Sequence, residues 1–343
     1  MTYALDATYS TGGNLSGVGV YSREILNGLA RAHPEDRFTW CYRPHRLLRA
    51  FKTRPSNASL RPLLEHLQLF RAELFHGLNQ RLPARRFKRS VCTFHDLFVL
   101  TSDYSTTEFR RRFAQQARDA VSRADLVICV SAFTAAQVST LLGVDTSRLR
   151  VIPHGTRFPT RAGGPRRDPM ILHIGAIQHR KNLSRLVTAF ERCAPAPWRL
   201  VLAGSDGFGA AEIHQRIASS TARDRIEALG WVNDEALSAL YAKAAVFAFP
   251  SLDEGFGIPV LEAMAQGVPV LSSNRSALPE ACGDAALLVD PLSEDDIAHG
   301  LSRLISDSGL RDRLTQAGRA RAELFPWSRA VTATWNVYRE LLS

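Results

Sequence analysis

The stretch Phe249-Pro-Ser-Leu-Asp-Glu254-Gly-Phe-Gly257-Ile-Pro-Val-Leu-Glu262-Ala-Met-Ala-Gln-Gly-Val-Pro269 decides how this chain folds. The apolar run Val246–Phe249 reads as a buried strand that stops at Pro250. A turn carrying Gly255 and Gly257 follows, and a helix begins around Pro259, because proline's fixed φ suits the first helical turn. Leu261, Met264, Ala265 and Val268 recur at i, i+3, i+4 and i+7 and would face a core. Strand, glycine turn and helix in that order make one βα unit of a doubly wound sheet. Unpaired amides at such a helix start favour an anion, and the glycines let the backbone come close to a ligand. Glu254 and Glu262, with seven residues between them, would repel bare phosphate. The hydroxyls of a sugar and of a ribose give them a purpose, since a carboxylate accepts two hydroxyl hydrogens well.

The same rhythm runs outward from this stretch. Strand-like runs fall at Tyr3–Ala7, Phe38–Tyr42, Val91–Phe94, Leu126–Val130 and Leu149–Ile152, then at Met170–Ile174, Arg199–Ala203, Ile226–Leu229, Val270–Ser272 and Ala286–Val289. Many are continuous rather than alternating, as parallel strands covered on both faces require. Amphipathic segments lie between them, for example Leu183, Leu186, Val187 and Phe190. Thr156–Pro169, rich in Pro, Gly and Arg, interrupts the pattern as a linker. The 343 residues therefore divide into two doubly wound α/β domains facing each other across a cleft. The expected boundaries are 1–158 and 165–325. Ligands of such sheets bind outside the strands' carboxyl ends.

Three further segments stand at such ends. In His173-Ile-Gly175-Ala-Ile-Gln-His-Arg180-Lys181-Asn182, adjacent cations follow a strand and would neutralise a diphosphate as it leaves. Gly12-Gly-Asn-Leu-Ser-Gly17-Val-Gly19-Val-Tyr21 tempts a dinucleotide reading, but Ser22 stands where the third glycine belongs. It reads instead as a flexible loop, with Gly17 and Gly19 close to phosphate or acceptor. His95, in Thr93-Phe-His-Asp96, ends an apolar strand and points towards the cleft.

Composition sets outer limits. Hydrophobic residues make up 45% and charged residues 22%, ordinary globular usage, so each half can bury its own core. No apolar run spans a bilayer, and the start lacks a basic leader before an apolar stretch. Five scattered cysteines without a CxxC pair imply neither zinc nor a disulfide framework. These features indicate a cytoplasmic protein. The net charge of +10 is matched by Arg43–Arg89 alone, where twelve Arg or Lys face two acids, Glu65 and Glu73. Leu47, Leu48 and Phe51, then Leu63, Leu64, Leu67 and Phe70, recur there at near-helical spacing between Arg46, Arg49, Lys52, Arg61 and Arg71. Amphipathic helices able to lie on an anionic membrane face are expected.

Together these residues resemble retaining glycosyltransferases of family 4, which have the GT-B fold. Glu254-Gly-Phe-Gly…Glu262 is similar to that family's paired glutamates, and Gly175…Arg180-Lys181-Asn182 to its diphosphate loop. Val130-Ser-Ala-Phe-Thr134 and Val151-Ile-Pro-His-Gly155 resemble its waypoints before the linker. Asn274-Arg-Ser-Ala-Leu-Pro-Glu280-Ala-Cys-Gly-Asp284 looks like the run found in bacterial mannosyltransferases of surface polysaccharide assembly. The resemblance implies that Glu254, with the amides of Gly255, Phe256 and Gly257, holds the transferred sugar, and that Glu262 binds ribose. It implies that Arg180 and Lys181 clamp the diphosphate and that His95 touches the sugar. His154 stands where asparagine is common. The helix 326–343 would return to complete the first domain.

GDP-mannose is the donor implied, with GDP-rhamnose and UDP-hexoses behind it, and a glycan or a lipid-diphosphate-linked acceptor. No Asp-x-Asp motif occurs and Glu294-Asp-Asp296 reads as a helix start, so no metal or other cofactor is expected. A non-catalytic nucleotide-sugar or nucleic-acid binder is the alternative of another class. Retention of Glu254, Glu262, Arg180 and Lys181 disfavours it, and no nucleic-acid partner is expected.

Overall fold

The computed structural model describes residues 1–48, 50, 54–67, 70–161 and 167–343, which form two compact units. The first unit is Met1–Gly155 with Pro326–Ser343, and the second is Thr156–Phe325. The division falls a few residues before the expected 158, for a chemical reason. The Thr156 amide donates to the Phe325 carbonyl, and Arg157 is bonded to Glu262, so both residues belong to the second unit. The middle of the expected linker, 162–166, lies outside the described residues.

In the first unit β1 (Thr2–Asp6), β2 (Arg37–Tyr42), β3 (Ala58–Pro62), β4 (Leu74–Gly77), β5 (Ser90–Phe94), β6 (Leu126–Cys129) and β7 (Leu149–Val151) form one sheet. Its order is β3-β2-β1-β4-β5-β6-β7 and every pairing is parallel. One face packs Phe38, Trp40 and Tyr42 with Trp335 and Tyr338 of the last helix, Trp327–Leu342. The other packs Phe75, Phe94 and Phe113. A Cβ at Gly28, on the helix Gly17–Ala32, would meet Val331 at 2.3 Å, so glycine lets the last helix lie close.

The basic stretch departs from its expected form. Where amphipathic helices were read, the described residues hold one four-residue helix, Pro44–Leu47, and the two unforeseen strands β3 and β4. Leu63, directly after β3, is buried in the core with Phe75 and Phe94, whereas Leu48 and Leu67 face solvent, so these leucines share no helical face. Arg49, Phe51 and Lys52, part of that expectation, lie outside the described residues. Glu65 meanwhile holds Arg43 at 2.5 Å and Arg81 at 3.8 Å, so the segment's own acid is shared between two of its cations.

In the second unit β8 (Asp168–Ile174), β9 (Arg199–Ala203), β10 (Ile226–Gly230), β11 (Ala244–Phe249), β12 (Val270–Ser273) and β13 (Leu287–Val289) run in the order β10-β9-β8-β11-β12-β13, again all parallel. The chain winds one way from β8 and then restarts at β11 on its other side. The β8/β11 junction is therefore the topological switch point, where loops at the carboxyl ends diverge and leave a crevice. Pairing of Val246 with Ile171 and Phe247 with Leu172 brings Ile174 and Phe249 to that edge together. Arg167, at the entrance to β8, donates from Nη1 to the Tyr241 and Ala244 carbonyls (2.9 and 2.8 Å) and from Nη2 to those of Gln266 and Gly267 (2.8 and 2.9 Å). Four of the five cysteines are buried, and all are free. Among the described residues no helix is long and apolar enough to cross a membrane.

Candidate active site

The loop after β8 and the loop after β11 build the site. Gly175 leaves β8 at φ +154°, and a Cβ there would sit 3.1 Å from the Lys181 side chain. Gly204, after β9, presses on it, since a Cβ at Gly204 would fall 1.9 Å from the Gly175 carbonyl oxygen. The chain then makes a single turn, His179–Lys181, that aims both cations inward. The Arg180 carbonyl accepts from the Leu252 amide at 2.8 Å, which stitches the two loops together by backbone.

From β11 the turn delivers Glu254 to these cations. Its Oε1 takes a hydrogen bond from Lys181 Nζ at 2.5 Å, and its Oε2 lies 2.9 Å from Arg180 Nη1. Lys181 Nζ also stands 4.5 Å from the centre of the Phe249 ring, a cation–π contact. All three charged groups are buried. Burial alone would raise the Glu254 carboxyl, but the charges and hydrogen bonds of Arg180 and Lys181 outweigh it and hold it at about 2. The Glu254 amide donates to Ser276 Oγ at 3.0 Å, which fixes the turn.

Gly257 then adopts φ +126° and starts the helix Ile258–Ala265. A Cβ there would meet Leu278 at 2.9 Å, so both the left-handed backbone and the space call for glycine. Phe256 is buried edge-on to Phe325, and Gly255 links it to Glu254. On the helix, Glu262 is 1% exposed and has its own partners. Arg157 donates from Nε to Oε1 at 2.6 Å and from Nη2 to Oε2 at 3.2 Å, and the Tyr241 hydroxyl reaches Oε2 at 3.2 Å. Burial raises the Glu262 carboxyl above the usual range, against the pull of Arg157. Arg157 and Tyr241 were missed in the sequence. No local signal marks them, since the Arg157 pair spans 105 positions.

The first unit carries the other expected residues. His95 follows β5 directly; its Nε2 bonds the Leu78 carbonyl oxygen at 2.9 Å and its Nδ1 lies 3.3 Å from His154 Nε2. Burial pulls His95 down to about 4, so it is neutral and donates to Leu78. Tyr21 packs edge-on against both histidines. Its hydroxyl joins Thr93, His76 and Tyr338 in one buried chain of hydrogen bonds. Gly17 and Gly19 are not in a loop: Ser16 caps the helix Gly17–Ala32 by accepting from the Gly19 amide, and the glycines form its first turn. Gly19 is there for close packing, because a Cβ would lie 2.8 Å from the Tyr9 carbonyl oxygen.

A buried Lys–Arg–Glu cluster at a switch point can hold a diphosphate and a polyhydroxylated group side by side, and known proteins share this frame. A family model described as Glycosyl transferases group 1 matches residues 158–321, and one described as Glycosyltransferase Family 4 matches residues 15–157. The O-antigen chain mannosyltransferase B of Escherichia coli is 32% identical over 80% of this chain and 76% of its own length. The chain belongs to glycosyltransferase family 4. This glycosyltransferase is also 31% identical to the MMP alpha-(1->4)-mannosyltransferase of Mycolicibacterium hassiacum, over 70% of this chain and 58% of that one. The serotype-specific mannosyltransferase WbdA of Escherichia coli matches 70% of this chain, at 29% identity, but only 32% of its own length. Among solved structures, sucrose-phosphate synthase from Thermosynechococcus elongatus superposes with a TM-score of 0.83 at 22% identity, covering 100% of this chain and 99% of that one. WaaG, a glycosyltransferase involved in lipopolysaccharide biosynthesis, gives 0.75 at 16%, over 98% and 99%. At such identities the likeness is one of fold: the glycosyltransferase has the GT-B fold of two Rossmann-like units. It is an enzyme that transfers a sugar.

Proposed function

We propose that this enzyme moves mannose from GDP-mannose, with retention at the anomeric carbon, to a glycan or lipid-diphosphate-linked acceptor in cell-surface polysaccharide synthesis. The observation that carries the reading is the buried Arg180–Lys181–Glu254 cluster, and the mannosyltransferase names of the relatives favour the sugar. A diphosphate entering the crevice competes with Glu254 for Arg180 and Lys181. Glu254, released from them, turns to the hydroxyls of the sugar. As the glycosidic bond breaks, negative charge grows on the leaving diphosphate, where the two cations stabilise it most. The leaving phosphate oxygen takes the acceptor's proton, so no protein nucleophile is required. Glu262 receives the ribose, and His95, neutral and with both ring nitrogens engaged by Leu78 and His154, touches the sugar with its ring and helps to shape the reacting face.

Thermal-shift titration against GDP, UDP, ADP and their sugars tests the donor. A ligand at 100 times its dissociation constant adds about 2.7 kcal/mol, and GDP-mannose is expected to give the largest shift. NMR of the product decides the anomer, and an inverted product overturns retention. EDTA is expected to leave transfer intact; loss restored by magnesium or manganese overturns the metal-free reading. Docking to an anionic bilayer, without the helices first read there, falls to the exposed Arg61, Arg71, Arg85, Arg86 and Lys88 and the exposed Leu67. Sedimentation with anionic liposomes at low salt is expected to carry the protein down. Equal binding after Arg61, Arg71 and Arg85 become glutamate overturns it.

A further inference from the structure

Glu262 sits in a chemical situation that Glu254 does not share. It is buried, its helix Ile258–Ala265 carries no other titratable group, and among the described residues one supplies all of its positive charge. That residue is Arg157, on the segment by which the chain enters the second unit. The guanidinium binds both carboxylate oxygens and donates from Nη1 to Asp234 Oδ1 at 2.7 Å, with its central carbon Cζ 5.4 Å from the Phe158 ring centre. The described groups facing the carboxylate are Arg157, the Tyr241 hydroxyl and, at longer range, Asp234, whose like charge works against ionisation. A carboxylate has about four lone-pair sites, and here Nε takes one on Oε1 while Nη2 and Tyr241 take two on Oε2. One acceptor site on Oε1 is left for a ligand hydroxyl.

We propose that Arg157 is a positioning residue of the donor site: it keeps the Glu262 carboxylate charged and aims its remaining acceptor site at a ribose hydroxyl of the nucleotide. This rests on the reading of Glu262 as the ribose-binding group. A buried carboxylate without its only counter-charge takes up a proton, and the protonated acid presents a hydrogen where the ribose also presents one. Arg157 acts through Glu262 without touching the reacting sugar. The defect from its loss is one of nucleotide affinity and of its pH dependence.

The experiment titrates wild type, Arg157→Leu, Arg157→Lys and Glu262→Gln with the nucleoside diphosphate that stabilises the wild type most among GDP, UDP and ADP, from about pH 6 to about pH 8. Wild-type affinity is expected to follow only the ionisation of the ligand's own terminal phosphate, near about pH 6, and sets the reference profile. Arg157→Leu is expected to bind at least tenfold more weakly at the acid end and to recover as pH rises, because the carboxyl must lose its proton to bind. Glu262→Gln binds weakly at every pH. Arg157→Lys, which retains the charge, restores most of the affinity and the wild-type profile, and it carries the test should the leucine variant fail to fold. An Arg157→Leu affinity equal to or above wild type, or a loss of the same size at every pH, overturns the proposal; so does an Arg157→Lys profile that slopes more steeply with pH than that of wild type. The ribose reading is checked apart, with the 2′-deoxy and 3′-deoxy diphosphates on wild type. One of the two is expected to lose affinity. If neither does, that reading fails, whatever the Arg157 variants show.

Discussion

Each unit buries a cluster of titratable side chains just past its strand ends, and the two clusters are built on opposite terms. Around His95 every group is driven neutral. Burial pulls His95 to about 4 and His76 to about 3, takes His154 well below its ordinary value, and pushes the Tyr21 and Tyr338 hydroxyls up. Around Glu254 the groups stay charged at comparable depth. What differs is the partner: a charge survives burial only with an opposite charge in hydrogen-bond reach, and the first cluster holds only rings and hydroxyls. The second unit thus presents fixed charge and the first uncharged hydrogen-bonding groups.

Removing the counter-charge breaks this contrast most severely. Glu254→Ala leaves Arg180 and Lys181 buried side by side, and breaking such a pair typically costs about 3–5 kcal/mol. A lower melting temperature is expected, with transfer down about a thousandfold, the scale of one lost transition-state contact in such sites. Binding of bare nucleoside diphosphate survives, because its phosphates then meet the cations unopposed. Calorimetry beside a transfer assay checks both; equal loss of nucleotide binding and transfer would refute the assignment of Glu254 to the sugar.

Arg180→Ala and Lys181→Ala come next, each lowering turnover by about a hundredfold, or near 3 kcal/mol, and donor affinity by less. A raised KM at unchanged kcat would make them binding groups only.

Acid gives the smallest effect near neutrality. A histidine whose pKa is lower folded than unfolded contributes stability above the unfolded 6.5, and loses it as pH falls towards the folded value, about 4 for His95. Each such histidine costs up to about 1.4 kcal/mol per pH unit in that window. The first unit has His76, His95 and His154; the second has His173, lowered to about 4 by burial and Lys181. Glu254 runs on a different window, its contribution present above 4.5 and lost only as pH falls towards about 2. Limited proteolysis from pH 6.5 downward is therefore expected to cut the first unit before the second. Simultaneous cutting would mean that the neutral cluster sets no separate threshold.

The sequence showed the second unit well, because its central strands β8, β9 and β11 carry continuous apolar runs and the turn between Glu254 and Glu262 carries its glycines where the backbone needs them. It showed β3 and β4 poorly. β3 is an edge strand whose residues alternate unevenly between water and core and which ends on Pro62. β4 has only Leu74 and Phe75 as apolar residues and completes itself with His76, which is tolerated in the core through Tyr338 and Thr93. Leucines in the loop beyond β3 then imitated a helical stripe. Within the site, the residue types were legible but the pairings were not. Lys181 and Glu254 meet across 73 positions, and Arg157 hid in a segment whose composition reads as a mere connection.

Arg167 gives that connection a second role. Its one guanidinium closes the carboxyl ends of the helix Asp234–Lys243, which carries Tyr241, and of the helix Ile258–Ala265, which carries Glu262. Helix ends normally fray independently, each last turn exchanging its amide hydrogens at its own rate. Here neither end can release its carbonyls to water while Arg167 stays in place, and when it leaves both lose two hydrogen bonds at once. The last turns of the two helices are therefore expected to open as one event with one free energy, in which Tyr241 and Glu262 are released together.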